Sequence, residues 1–129
     1  MNNQMLAALL ARLDGGFSGV PGRWNFQFGG RALYCLTDGT HDRMRVMTVV
    51  SGADGLDAAE LSRCLEANFD RALDARYCLS QDRLWSAFIH PLGALTDDLF
   101  MSAVQQVVTL ADNFGGSYSS GGLVFVGGS

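Results

Sequence analysis

Between Asp57 and Pro91 the spacing of apolar residues switches once, from helical to alternating, and that order of patterns points to a mixed α+β fold. Asp57 and Glu60 stand three apart ahead of an apolar series, the arrangement of a capping box that satisfies the first free N–H groups of a helix. Leu61, Cys64, Leu65 and Phe69 recur at helical spacing, and Arg63, Glu66, Asp70 and Arg71 fall mostly on the opposite side. A helix with one face to bury is expected there. Past Asp74 the period becomes two. Ala75, Tyr77 and Leu79 alternate with Arg76, Cys78 and Ser80, and Leu84, Ser86, Phe88 and His90 alternate with Trp85, Ala87 and Ile89. Two strands joined at Ser80-Gln81-Asp82 predict a hairpin.

The flanking segments extend this reading. Residues 3–13 place Leu6, Leu9, Leu10 and Leu13 on one helical face, with an Asn as cap and Gly15-Gly16 as the stop. This short docking helix is read as core packing, or as a partner-binding face if it is weakly held. Residues 17–22, with two glycines and Pro21, are read as a connector. Trp24, Phe26 and Phe28 alternate with Asn25 and Gln27 as in a strand with one large apolar face. Gly29-Gly30 suits a two-residue hairpin turn, in which both positions require positive φ. Strands over residues 31–37 and 43–50 follow, separated by the turn Asp38-Gly39-Thr40-His41, and residues 51–55 are read as a connector. After Pro91, Thr96 can cap a helix whose first turn carries Asp97 and Asp98, carboxylates favoured at the positive end of the helix dipole. Phe100, Ala103, Val104, Val107, Val108, Leu110, Ala111 and Phe114 give it a wide apolar stripe up to Gly115-Gly116. A single domain over residues 1–116 is expected. Residues 117–129 read as a Gly/Ser-rich tail carrying one apolar segment, Leu123, Val124, Phe125 and Val126.

Composition narrows the function classes. At 129 residues and 48% hydrophobic, the chain suits one core. It has no apolar run near the roughly 20 residues of a membrane span and no signal-peptide succession at its start, so a cytoplasmic protein with no membrane partner is expected. The formal charge is −4, and the nine cations are all Arg and scattered along the chain, which argues against nucleic acid as a partner. Cys35, Cys64 and Cys78 are odd in number, widely spaced and set in apolar elements, as expected of reduced structural thiols.

No catalytic motif emerges. His41 stands beside Asp42 in a polar turn, His90 ends a strand before Pro91, and neither has a second ligand at metal spacing. A Walker loop is ruled out because the chain has no Lys. Arg43 and Arg45 point to one side of their strand and could meet acidic or phosphate groups, or form a solvated sheet face. No catalytic residues, no metal and no cofactor are expected.

The order helix, three strands, helix, two strands, helix over residues 3–114 resembles the fold of class I type III secretion chaperones, and the Leu-Glu-Ala-Asn-Phe end of the segment 61–69 looks like their second helix. Trp24-Asn25-Phe26, the hairpin over residues 75–84, and the run containing Leu-Ala-Asp-Asn-Phe-Gly-Gly-Ser-Tyr-Ser-Ser-Gly-Gly resemble the YbjN-like family, which is similar in fold to those chaperones and has no settled biochemical activity. The resemblance implies a bacterial, non-enzymatic α+β protein of order α-β-β-β-α-β-β-α, with an antiparallel sheet and helices packed on it. It also implies a homodimer that holds an extended stretch of a protein partner on apolar patches. The expected patches are Leu6, Leu9, Leu10, Leu13, Trp24, Phe26 and Phe28 for the partner, and Leu61, Cys64, Leu65 and Phe69 for the dimer, because the other two helices suffice to cover one sheet face. Leu123, Val124, Phe125 and Val126 are expected to dock on a sheet edge by β-augmentation. A YbjN-like regulator or adaptor contacting a folded partner, and a small-molecule-binding domain, stay open as alternatives.

Overall fold

The computed structural model describes residues 1–121. Among the described residues three helices and six strands follow in the order α1 (Asn3–Ala11), β1 (Phe17–Val20), β2 (Arg23–Phe28), β3 (Arg31–Asp38), β4 (Arg43–Gly52), α2 (Ala58–Asp70), β5 (Arg76–Ser80), β6 (Arg83–His90) and α3 (Asp97–Asp112). The strands form one antiparallel sheet in the order β1-β2-β3-β4-β6-β5. The first four make a meander. The chain then leaves the sheet through α2, adds β5 at the far edge, and returns with β6 between β5 and β4.

Each helix starts at a side-chain cap. Asn2 accepts from the Met5 N–H, Thr96 from the Leu99 N–H, and Asp57 and Glu60 form the reciprocal box. α3 carries its acidic first turn, and its stripe from Phe100 to Leu110 is buried across β4 and β6. α1 joins it on the same face. Leu6 and Leu10 are fully buried, and Arg12 pairs with Asp97 at 3.1 Å, tying α1 to the start of α3. Beneath them lie the inward residues of the strands, including Trp24, Phe26, Leu33, Cys35, Met44, Val46, Leu84 and Phe88. Two polar side chains share this layer, and both are satisfied. Thr48 Oγ1 donates to the Ala32 carbonyl and Ser86 Oγ to the Val107 carbonyl, each at 2.8 Å.

Three expectations are corrected. Residues 17–22 are not only a connector, because residues 17–20 form β1, giving six strands where five were expected. Gly19 sits at φ +111 where an added Cβ would lie 2.2 Å from the Arg23 carbonyl oxygen, so the glycine that suggested a loop is what lets this edge strand approach. β4, expected as the third strand over residues 43–50, runs on to Gly52 through an irregularity between Val49 and Ser51, absorbing the start of the expected connector. The chain also does not leave the domain at Gly116. Tyr118, at φ +54 and 3% exposed, packs edge-on against Tyr77 and Phe114 with centroids at 6.0 and 5.7 Å. Asn113 Nδ2 donates to the Ser119 carbonyl, and the Ser120 N–H to the Arg71 carbonyl. The packed chain therefore reaches Ser120. The segment Leu123, Val124, Phe125 and Val126 lies outside the described residues.

Candidate functional site

The expected partner patch is core. Leu6, Leu9, Leu10, Trp24 and Phe26 are all 5% exposed or less, while Leu13 and Phe28 are half-buried against them. The large apolar face of β2 is the one α1 and α3 cover, and burying those rings contributes far more than leaving them open for a partner. They are not available as a surface in this conformation.

The expected dimer stripe divides. α2 turns Cys64, Ala67, Asn68 and Arg71 toward the body of the protein, an i, i+3, i+4, i+7 set. Cys64 and Ala67 are buried and Leu61 is half-buried, but Leu65 is 71% and Phe69 94% exposed. A polar clamp sets this rotation. Asn68 Oδ1 accepts the Tyr77 N–H at 2.7 Å and its Nδ2 donates to the Tyr77 carbonyl at 3.0 Å, so one side chain pairs with β5 as a neighbouring strand would. Gln106 of α3 closes the loop between α2 and β5, its Oε1 accepting the N–H groups of Asp74 and Ala75 at 3.0 and 3.1 Å. Tyr77 then donates its hydroxyl to the Leu110 carbonyl at 2.7 Å, and burial pushes its pKa well above the usual phenol range. With this end of α2 anchored, Leu65, Phe69, Leu73 and Leu79 remain exposed along α2, its following turn and β5. A groove lined by Leu61, Cys64, Leu65, Leu79 and Leu84 runs between helix and edge strand.

Among the described residues no helix covers the sheet's other face. Across it run the cross-strand rows Arg23, Leu36, Arg45, Ile89 and Asn25, Tyr34, Met47, Ala87. Tyr34 and Trp85 meet edge to face at 6.0 Å, and Trp85 Nε1 donates to the Ser80 carbonyl at 3.0 Å. A shallow groove between Tyr34, Leu36, Met47, Trp85 and Ile89 follows this face.

The titratable groups show no catalytic grouping among the described residues. His41 is exposed and bonds Asp38, not its neighbour Asp42, at 2.8 Å, and that pairing holds the Asp38 carboxyl below the usual range. Asp42 instead accepts the Gly93 N–H at 2.7 Å. His90 stacks on Phe88 and lies 2.8 Å from the Pro91 carbonyl through Nδ1. Among the described residues no three His, Cys, Asp or Glu side chains form a metal-binding group, and no helix is long and apolar enough to cross a membrane. Cys35, Cys64 and Cys78 are free thiols. Burial pushes Cys35 up to about 12, and burial with the nearby Glu60 charge pushes Cys64 up to about 11. Cys78 is only half-buried on the open face, a departure from the expectation that all three lie inside.

No family model and no curated protein matches the sequence. Solved structures do match in shape. A chain of the HopA1–SchA chaperone–effector complex superposes with a TM-score of 0.67 at 11% identity, over 86% of this chain and 90% of that one. A chain of the ExsC–ExsE complex gives 0.62 at 14% identity, over 87% and 92%. The structure of the Yersinia pestis type III secretion chaperone SycH with a stable fragment of YscM2 gives 0.63 at 12%, over 84% and 98%. At these identities the likeness is one of fold, and the fold it shows is the α+β architecture of the type III secretion chaperones.

Proposed function

We propose that this chain is a non-enzymatic protein-binding module of chaperone type, acting in the cytoplasm as a homodimer and holding an extended segment of a protein partner. The observation that carries the proposal is the uncovered apolar surface along α2 and β5, where Leu65, Phe69, Leu73 and Leu79 face solvent while the domain's own core is complete without them. A two-fold axis beside α2 would set each exposed stripe against its own copy, the self-complementary arrangement that a symmetric dimer requires. The same architecture occurs in structures described as chaperone–effector and chaperone–fragment complexes, which adds support for a polypeptide as the partner.

Affinity capture from lysate, with the recovered partner digested to its minimal bound segment, tests the reading together with sedimentation of the purified chain. A dimer that retains a short, unstructured segment supports it. Recovery of a folded partner that resists digestion would favour a regulator or adaptor of the YbjN-like kind. A monomer that retains only a small molecule would overturn the proposal.

A further inference from the structure

The arginines look scattered in the sequence, yet the sheet register gathers them. Inward and outward positions alternate along each strand, so the face opposite α1 and α3 receives Arg23 from β2, Arg43 and Arg45 from β4, Arg76 from β5 and Arg83 from β6. Five of the chain's nine arginines thus occupy outward strand positions, and of its thirteen acidic residues only Asp38 does. That asymmetry runs against a net charge of −4. Among the described residues none of these five arginines forms an ion pair, whereas Arg12, Arg31 and Arg71 on other surfaces do. Asp38 is already engaged by His41.

We propose that the open sheet face binds an acidic polypeptide segment whose Asp or Glu side chains flank large apolar ones. This rests on the protein-binding reading above and names the chemistry of the partner and the face that takes it. Arg23 and Arg45 stand in one cross-strand row with Leu36 between them and Ile89 beyond. Strands two apart in a sheet are separated by roughly 9.5 Å, so two guanidinium groups bracket an apolar trough that continues into Tyr34 and Met47. A guanidinium suits a carboxylate as a paired-hydrogen-bond partner, and the trough between supplies the burial that charge alone does not. Nucleic acid fits less well. Trp85 is only 7% exposed, with its edge committed to the Ser80 carbonyl and Tyr34 packed on it, so it offers no open ring face on which a base could stack.

The test uses the full chain and three fluorescein-labelled probes: a 16-residue peptide alternating Glu with Leu and Phe, its counterpart with Gln for every Glu, and a 16-nucleotide oligothymidylate. Anisotropy is read at 50 and 300 mM NaCl. The acidic peptide should bind at least tenfold more tightly than the Gln peptide and weaken severalfold at the higher salt. Arg23→Glu with Arg45→Glu should lower its affinity at least thirtyfold, while Arg63→Glu, an exposed arginine on α2 away from this face, leaves it within threefold. Both arginines are solvent-exposed, and if the double reversal unfolds, Arg45→Gln alone should still cost about fivefold. Equal binding of the two peptides, or undiminished binding by the arginine variants, overturns the charge assignment while leaving a protein-binding module intact. Tighter binding of the oligonucleotide overturns the choice of partner. Failure of every probe to bind at 1 mM protein overturns the site altogether.

Discussion

Replacing Leu65 by Asp separates the proposed dimer from the stability of the protomer. In the protomer this side chain is 71% exposed, so it adds little to the core. Fully burying a leucine is worth about 1.5–3 kcal/mol, and the uncovered share that a dimer seam would take up is about 1–2 kcal/mol per copy. Two-fold symmetry counts it twice, so truncation alone removes about 2–4 kcal/mol from association, and the two introduced carboxylates oppose it further. The dissociation constant should therefore rise by roughly 30-fold to 1,000-fold. The protomer loses only the helix-propensity difference, about 0.5 kcal/mol, or about 2 °C in Tm. Sedimentation equilibrium across a range of concentrations, with thermal unfolding measured at a concentration where both proteins are monomeric, reads the two quantities independently. If the variant's dissociation constant stays within threefold of the parent's, α2 does not lie at the seam. If the parent itself is monomeric at tens of micromolar, the dimer fails with it.

Asn68→Ala should destabilise the domain by about 1–3 kcal/mol in urea unfolding, because the backbone N–H and carbonyl of Tyr77 both lose their side-chain partner; Asn68→Asp should recover little, since a carboxylate accepts the Tyr77 N–H but repels its carbonyl. Gly29→Ala and Gly30→Ala should each cost about 1 kcal/mol for their positive φ, but Gly29→Ala should cost more because its Cβ would lie 2.8 Å from Val108 Cγ1 while nothing stands within 4 Å at Gly30; Val108→Ala in the Gly29→Ala background should remove that excess. A bulky thiol reagent at pH 8 should modify Cys78 first and Cys35 last, following their burial. The raised thiol pKa values also set an alkaline limit: a thiol ionises near pH 8.5–9 in the unfolded chain but only near 11 for Cys64 and 12 for Cys35 in the folded one. Their contribution is complete below about pH 8.5 and falls as pH rises from there toward 12, because only the unfolded state then releases the proton; unfolding free energy measured between pH 8 and 11 should decline, and less so for Cys35→Ala relative to its own value at pH 8.

Local signals carried much of this fold. Thr96 followed by two aspartates, the Asp57/Glu60 box and the Gly29-Gly30 turn are short-range devices whose chemistry is complete within a few residues, and each appears in the structure as its sequence suggests. What escaped depends on partners distant in the chain. β1 is built from a Gly- and Pro-containing stretch that composition alone assigns to a loop, and only its pairing with β2 makes it a strand. Which residues of α2 pack on its own domain is not legible from side-chain size: Leu65 and Phe69 outrank Ala67 and Asn68 in hydrophobicity, but Asn68 has a backbone to bind across the gap and Ala67 permits close approach. Gln106 hides among the apolar residues of α3, and its purpose appears only once the loop after α2 folds beneath it. The arginine-rich face needed the register of five strands before it existed as a face at all.

The return of β6 to a place between β4 and β5 bears on the order in which the protein assembles. β1 to β4 are joined by tight turns, so their pairings form between near neighbours in the chain and need little loop closure. The β4–β6 pairing is different: Gly52 lies opposite Arg83, and the roughly 30 residues between them, α2 and β5 included, form a loop that must close before the pair can register. α3, which lies across β4 and β6, can bury its stripe only after that closure. The meander is thus a template that can form early, and the β4–β6 seam is the pairing with the largest loop to close. Until that seam closes, β4 is an exposed edge, and any extended chain nearby competes with β6 for it.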